Sequence, residues 1–210
     1  MMQILDVEQG SDAWHKARAG MPTASMFKDI MSPGKGGGPS AVRKTYMRKL
    51  AGEILTGEPM EGFSTKHTER GHAMEGDARR WYAFDRDVDP QQVGFIVNGQ
   101  AGYSPDSLID TRGALEIKSK LPEMVIDAIL NDEFLPEHKA QCQGGLWIAE
   151  REWIDLLVWW PKLTPFVARA ERDEVYIVKL AKAVEEFNEE LADMVAKIRA
   201  YGQPQKREAA

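Results

Sequence analysis

Cysteine occurs once in this 210-residue chain, at Cys142. A lone thiol excludes an internal disulfide, a four-cysteine zinc site and an iron–sulfur cluster held by four thiolates, and it fits a reducing cytoplasm. Long apolar runs are missing as well: none approaches the roughly 18 residues that cross a bilayer, so no membrane partner is expected. The opening residues, Met1-Met2-Gln3-Ile4-Leu5-Asp6, have neither the basic region nor the apolar core of a secretory signal. The four histidines, His15, His67, His72 and His138, are not at zinc-ligand spacing. Positive charge is not in surplus either. The net charge of −6 counts mildly against a nucleic-acid partner. It is unevenly spread, however: residues 1–80 carry 12 basic and 10 acidic side chains, whereas Glu185, Glu186, Glu189, Glu190 and Asp193 concentrate acid on one late helix face. A substrate feels the field of its cleft rather than the whole surface, so DNA stays possible.

What is present is ordinary globular material, 43% hydrophobic and 29% charged. The first 30 residues read as helix, turn, helix, with Ser11 capping the first, Trp14 buried on it, Gly20 ending it and Thr23 capping the second through Phe27 and Ile30. Residues 32–40, SPGKGGGPS, read as a mobile loop. A helix is expected over 41–55, with Tyr46, Met47, Leu50 and Ile54 inward and Arg43, Lys44, Arg48 and Lys49 elsewhere, either tracking phosphates or forming a solvated face. Another follows over 65–84. Residues 94–97 and 101–103 then flank Asn98-Gly99 as a hairpin, and 108–110 with 114–118 form a second. A helix from Pro136 through Trp147, strands at 153–160 and 166–171, and an amphipathic helix over about 174–201 complete the chain. Helices, then sheet, then helix, strands and helix predict an α/β or α+β fold, a mixed central sheet flanked by helices, in a single domain spanning 1–210.

Residues 104–118 carry the chemistry. Asp106 follows a proline at the end of one strand. Glu116 and Lys118 lie two apart on the next, so their side chains share a face. A tight turn joins the strands and sets Asp106 beside Glu116. Two carboxylates so placed form a hard-oxygen site suited to Mg²⁺, and a lysine on the same face can orient or deprotonate a water or stabilise phosphorane charge. Between them, Ile117 turns its side chain to the core and offers its backbone carbonyl. An isolated Glu-x-Lys is usually just an exposed strand face; the preceding Pro-Asp at hairpin distance points to a site.

The sequence also resembles the phage lambda exonuclease family (YqaJ-like viral recombinases) of the PD-(D/E)xK nuclease superfamily. The resemblance runs through Glu8-Gln9-Gly10, Asp12-Ala13-Trp14-His15-Lys16, Arg18-x-Gly20, Thr23-Ala24-Ser25, Arg70-Gly71 … Glu75, Ser104-Pro105-Asp106, Leu115-Glu116-Ile117-Lys118, Ala140-Gln141-x-Gln143 and Trp147. It implies a restriction-endonuclease-like core in which Asp106, Glu116 and the Ile117 carbonyl bind Mg²⁺, with Mn²⁺ as a substitute and two ions per site. It implies that Glu75 completes the metal shell directly or through water, and that Lys118 handles the nucleophilic water. Arg18, Ser25, Ser104 and Gln141 match positions that bind a terminal 5′-phosphate, with Gln143 an alternative for the glutamine. One departure stands out: the family usually has Gly after Ser-Pro-Asp, where this chain has Ser107. The implied activity is 5′-to-3′ digestion of linear duplex DNA, by a ring-shaped homotrimer working with a single-strand annealing protein.

Other motifs fail on inspection. Asp85-x-Asp87-x-Asp89 opens like a calcium loop but has Pro90 where glycine is required and Ile96 where glutamate is. Gly34-Lys35-Gly36-Gly37-Gly38 lacks phosphate-loop spacing. Cys142 reads as a small core residue, and Trp153, Trp159 and Trp160 as core or subunit contacts. The rival functions are an endonuclease of the same superfamily, which would cut closed circles, and a non-catalytic DNA-binding module.

Overall fold

The computed structural model describes residues 1–60 and 66–201, with side chains for all of these except 66–73. The expected helix start at Thr65 and the side chains of His67, Arg70 and His72 lie outside the described residues.

In chain order the elements are β1 (Gln3–Leu5), α1 (Asp12–Arg18), a 3₁₀ turn (Ala24–Met26), α2 (Phe27–Met31), α3 (Ala41–Thr56), α4 (Lys66–Arg86), β2 (Phe95–Asn98), β3 (Ala101–Tyr103), β4 (Ser107–Ile109), β5 (Gly113–Ser119), α5 (Pro122–Asn131), α6 (Lys139–Ala149), β6 (Trp153–Trp159), β7 (Phe166–Glu171) and α7 (Glu174–Ala200). The fold is mixed α+β. One sheet has the order β1-β2-β3 and the other β4-β5-β6-β7, with β5 and β6 parallel and the remaining pairs antiparallel. A parallel pair needs a crossover, which α5 and α6 supply.

Strand alternation sorts β5 between two layers. Leu115 and Ile117 join Ala78 and Tyr82 of α4 in one core, whereas Ala114 belongs to the core built on α3, α6 and α7. Glu116 and Lys118 therefore face the α6 side. Buried Asp155 on β6 is a structural carboxylate: it accepts from the Tyr82 hydroxyl at 2.6 Å and from two nitrogens of Arg169 at 2.7 and 3.0 Å. No described helix is long and apolar enough to cross a membrane.

Several local expectations change. β1 and α5 were not anticipated: β1 has no turn beside it and pairs with β2 far along the chain, whereas the equally short β3 and β4 are marked by their hairpin turns, and α5 buries Val125 and Ala128 while leaving Met124, Ile126, Ile129 and Leu130 exposed. Ser11 does cap α1, accepting from the Trp14 amide at 3.2 Å. Thr23 caps nothing with its side chain; its N–H is instead taken up by the Tyr46 hydroxyl at 3.1 Å. Trp14 is only half-buried because it lines a cleft. Residues 32–40 form a closed loop in which Pro33 bridges Pro39 and the Gly34 amide donates to the Gly38 carbonyl at 2.7 Å. Arg43 does not track phosphates: it is buried under Phe187 and forked onto Glu190 at 2.6 and 2.9 Å, tying α3 to α7. Lys44, Arg48 and Lys49 remain exposed.

Candidate active site

The β4–β5 register creates the site. β4 ends its pairing with Ser107 opposite Leu115, so β5 runs on past it and leaves the backbone of Ile117 without a strand partner on that edge. Asp106, one residue before β4, fills the gap: its Oδ2 accepts the Ile117 N–H. The N–H and C=O of one strand residue leave on the same side, so the Ile117 carbonyl is directed to the edge where Asp106 lies. The Ile117 side chain is in the core, as expected.

Glu116, 2% exposed, sits at the centre. Its Oε1 receives the Lys118 ammonium at 2.7 Å and the Gln141 amide, and its Oε2 receives the Tyr103 hydroxyl at 3.1 Å. Gln143 points elsewhere, joining the Glu171 carbonyl and the Asp173 amide at 2.8 Å each, so Gln141 is the glutamine in the cleft. Gln141 reaches Glu116 because α6 packs very closely: a side chain at Gly144 would collide with Phe27, and one at Gly145 would come 2.7 Å from the Tyr103 ring.

Electrostatics mark the acids as a group wanting a cation. Burial, then the Glu116 charge, push the Asp106 carboxyl well above its usual range; Glu75 adds to this, while Lys118 and the Ile117 amide oppose it. Burial would strip the proton from Lys118, but Glu116 and Asp106 outweigh it and hold the ammonium above its ordinary value. Burial, helped by the charge on Glu116, pushes the Cys142 thiol up, so it is an inert core residue rather than a nucleophile. Glu75 approaches from α4 and is bound by Arg79, four residues on. Among the described residues no three His, Cys, Asp or Glu side chains converge as a ready ligand set. Asp106, Glu116 and the Ile117 carbonyl nevertheless fit a Mg²⁺-like ion: the donors are hard oxygens, and mutual repulsion between the carboxylates is what such an ion relieves.

Beside the acids is a cleft of about 170 Å³, lined by Arg18, Ser25, Ser104, Asp106, Glu116 and Gln141. Ser104 accepts from Trp14 Nε1 at 2.9 Å and Arg18 Nη1 at 3.1 Å, and the guanidinium lies 4.0 Å over the Trp14 ring. Burial pulls Arg18 below its ordinary value, with Tyr46 and Glu53 opposing, yet arginine stays charged. No carboxylate among the described residues lies within ion-pair distance of it, which leaves a desolvated cation facing a cleft. Ser25 lies on the 3₁₀ turn, 3.4 Å from the Thr23 hydroxyl; the helix after it has only five residues, so the hydroxyl rather than a helix dipole is what it offers an anion.

Four neighbours escaped sequence reasoning. Tyr103 looks like any strand aromatic, and Arg79 like one charge among many on α4. Gln9 clamps the turn before Asp106 by donating to the Pro105 and Val93 carbonyls at 2.9 and 2.8 Å; only its place beside Gly10 hinted at this. His138 lies near Lys118 and Lys120, and burial with these two charges pushes its imidazole down to about 4, so it is neutral at pH 7.

Comparison with known proteins bears on the family and the fold. The profile of the YqaJ-like viral recombinase domain matches residues 13–152. Among solved structures, an alkaline exonuclease (LHK-Exo) from Laribacter hongkongensis is 27% identical, with a TM-score of 0.81 over 90% of this chain and 96% of that one. The same enzyme in complex with dAMP is 28% identical, with a TM-score of 0.82 over the same shares. A phage-related exonuclease from Haemophilus somnus 129PT, 14% identical with a TM-score of 0.63 over 85% and 96%, shares the fold. No curated protein sequence matches the chain significantly.

Proposed function

Because the chain belongs to the YqaJ-like viral recombinase domain family, we propose that it is a DNA exonuclease which removes nucleotides from the 5′ ends of linear duplex DNA with the help of Mg²⁺. The fold is that of PD-(D/E)xK nucleases, and the enzyme is a phosphodiester hydrolase. One observation carries the finer reading: a desolvated Arg18, with no carboxylate among the described residues at ion-pair distance, is bonded to Ser104 and lines the same small cleft as Asp106 and Glu116. This supports the reading, because cutting one nucleotide in from a 5′-phosphate needs a phosphate fork beside the hydrolytic centre.

Asp106, Glu116 and the Ile117 carbonyl would hold the ion, Mg²⁺ or Mn²⁺; a second ion would draw on Glu75. Such an ion supplies neutralisation of phosphate charge and a water of lowered pKa. Lys118, held as an ammonium, orients that water and stabilises the phosphorane oxygens as charge develops. Gln141 and Tyr103 keep Glu116 turned inward, and Tyr103 stays a neutral donor because burial raises its phenol. Arg18, Ser104 and Ser25 grip the terminal phosphate, and Trp14 keeps the guanidinium flat. His138, neutral at pH 7, is no proton donor to the leaving oxygen.

The test is digestion of end-labelled linear duplex with and without Mg²⁺. Mononucleotides should appear from the 5′ end only, leaving 3′ single strands, and only with the metal. Ends bearing 5′-phosphate should be cut about tenfold or more faster than 5′-hydroxyl ends, with Arg18→Ala removing the difference. Release from the 3′ end would refute the polarity, cleavage of closed circles would favour the endonuclease, and equal wild-type rates on both ends would dismiss the phosphate grip.

The 3′ strands produced would feed a single-strand annealing protein, in a bacterial or phage-infected cytoplasm. A homotrimeric ring around the duplex would keep the enzyme on its substrate, and the exposed apolar residues of α5 are surface that a ring contact could cover. Light scattering should give three times the 23.6 kDa chain mass; a stable monomer would remove the ring.

A further inference from the structure

Arg79 is on α4, behind the catalytic turn, and nothing in the sequence singles it out. Its side chain is 14% exposed and fully engaged. Nε donates to the Ser107 hydroxyl at 2.9 Å, and Nη2 donates both to the main-chain carbonyl of Asp106 at 3.0 Å and to the Glu75 carboxylate. With its amide oxygen turned inward, Gln92 accepts from both terminal nitrogens at 3.1 Å. Ser107, wholly buried, donates its own hydroxyl hydrogen bond to the same Asp106 carbonyl at 2.6 Å.

One guanidinium thus grips two acids on two different elements. Fixing the Asp106 carbonyl on the α4 side fixes that peptide plane, and with it the direction in which the Asp106 side chain leaves the backbone, toward Ile117 and Glu116. The same Nη2 also holds Glu75, one helical turn away. Ser107 makes the grip complete. A glycine in its place, usual in the family this chain resembles, would leave Nε without that acceptor and the Asp106 carbonyl with one donor fewer.

We propose that Arg79, locked by Ser107, is a positioning residue that sets the placement of Asp106 relative to Glu75, and so governs how tightly the site takes a divalent cation. This rests on the reading of Asp106 and Glu116 as cation ligands. Charge and geometry act in opposite directions here: removing a cation would favour metal binding, while losing the fork would scatter the ligands. Arg79→Lys separates them, since it keeps the charge and loses the planar, multidentate geometry.

The experiment titrates Mn²⁺ into DNA-free protein, following free Mn²⁺ by electron paramagnetic resonance, alongside melting curves and steady-state kinetics. Arg79→Lys should bind Mn²⁺ about tenfold more weakly, and kcat should fall about 10- to 100-fold with KM for DNA nearly unchanged. Ser107→Gly should show the same pattern at about threefold, and the double variant should be no worse than Arg79→Lys alone, because both act through one grip. A purely structural role would lower the melting temperature and leave Mn²⁺ binding by the folded protein unmoved. That result, or additive losses in the double variant, overturns the proposal; Ser107→Gly, which removes only a CH₂OH group, carries the test where Arg79→Lys does not fold. Asp106→Asn in the same titration separates the two levels. Unchanged Mn²⁺ binding there overturns the metal-site reading itself, whereas loss there beside an unaltered Arg79→Lys overturns only the role of Arg79.

Discussion

Asp106→Asn is expected to cut Mg²⁺-dependent digestion by about 10³-fold while leaving the fold intact or slightly firmer. The substitution is isosteric, and the new carboxamide oxygen can still accept the Ile117 N–H that Asp106 accepts now. What disappears is one negative charge from a place that resists it, since burial, Glu116 and Glu75 all push the Asp106 carboxyl upward. The sign of the stability effect follows from that direction. A carboxyl whose folded pKa is raised stabilises the fold below its unfolded pKa, and that contribution is lost as pH rises through the folded value. The Asp106 contribution to metal-free stability should therefore fall as pH rises toward neutrality, so the melting temperature of Asp106→Asn should gain on that of the wild type over this range. Adding Mg²⁺ should raise the melting temperature of the wild type but not of the variant. Calorimetry at several pH values, with and without Mg²⁺, checks all three outcomes. A variant that still gains stability from Mg²⁺ and still cleaves DNA would remove Asp106 from the metal site.

Lys118→Ala should be nearly as inactive, by about 10²- to 10³-fold in kcat, but for a different reason. The ammonium lies 2.7 Å from Glu116, and in the proposed mechanism it would act on the reacting water and phosphate rather than hold the cation. Without it, Glu116 keeps the Tyr103 and Gln141 donors, so the carboxylates stay in place. Mg²⁺ should then still raise the melting temperature, in contrast to Asp106→Asn, and DNA should still bind. Single-turnover cleavage beside a DNA-binding titration separates these effects. Unchanged Mg²⁺-dependent cleavage would exclude Lys118 from the chemistry, and a lost Mg²⁺ response would make it a structural support of the metal site instead.

The two variants bracket what was legible before the fold was known. Asp106, Glu116 and Lys118 could be placed together because only local rules were needed: a short turn makes neighbouring strands antiparallel, and two-residue alternation puts Glu116 and Lys118 on one face. The major strands and helices followed the same logic, since each carries a hydrophobic period long enough to be seen. β1 escaped because its partner β2 lies far along the chain and no turn marks the pair, as turns mark the equally short β3 and β4. Arg43 looked like a surface charge because helical period tells which face a residue occupies, not whether a glutamate 147 positions away waits there.

From the sequence alone came the candidate reaction centre in outline: two carboxylates, a backbone carbonyl and a lysine, all within one hairpin whose geometry is set by residues close in the chain. The choice between Gln141 and Gln143 needed the phase of α6 against β5, and two adjacent glycines decide that phase by what they leave room for. The pairing of Arg18 with Ser104, and of Arg79 with Ser107, Asp106 and Glu75, joins elements that no local rule relates. Tertiary packing alone could decide those contacts, because hydrogen bonds between distant segments form only after the layers carrying them have been pressed together by burial of the core.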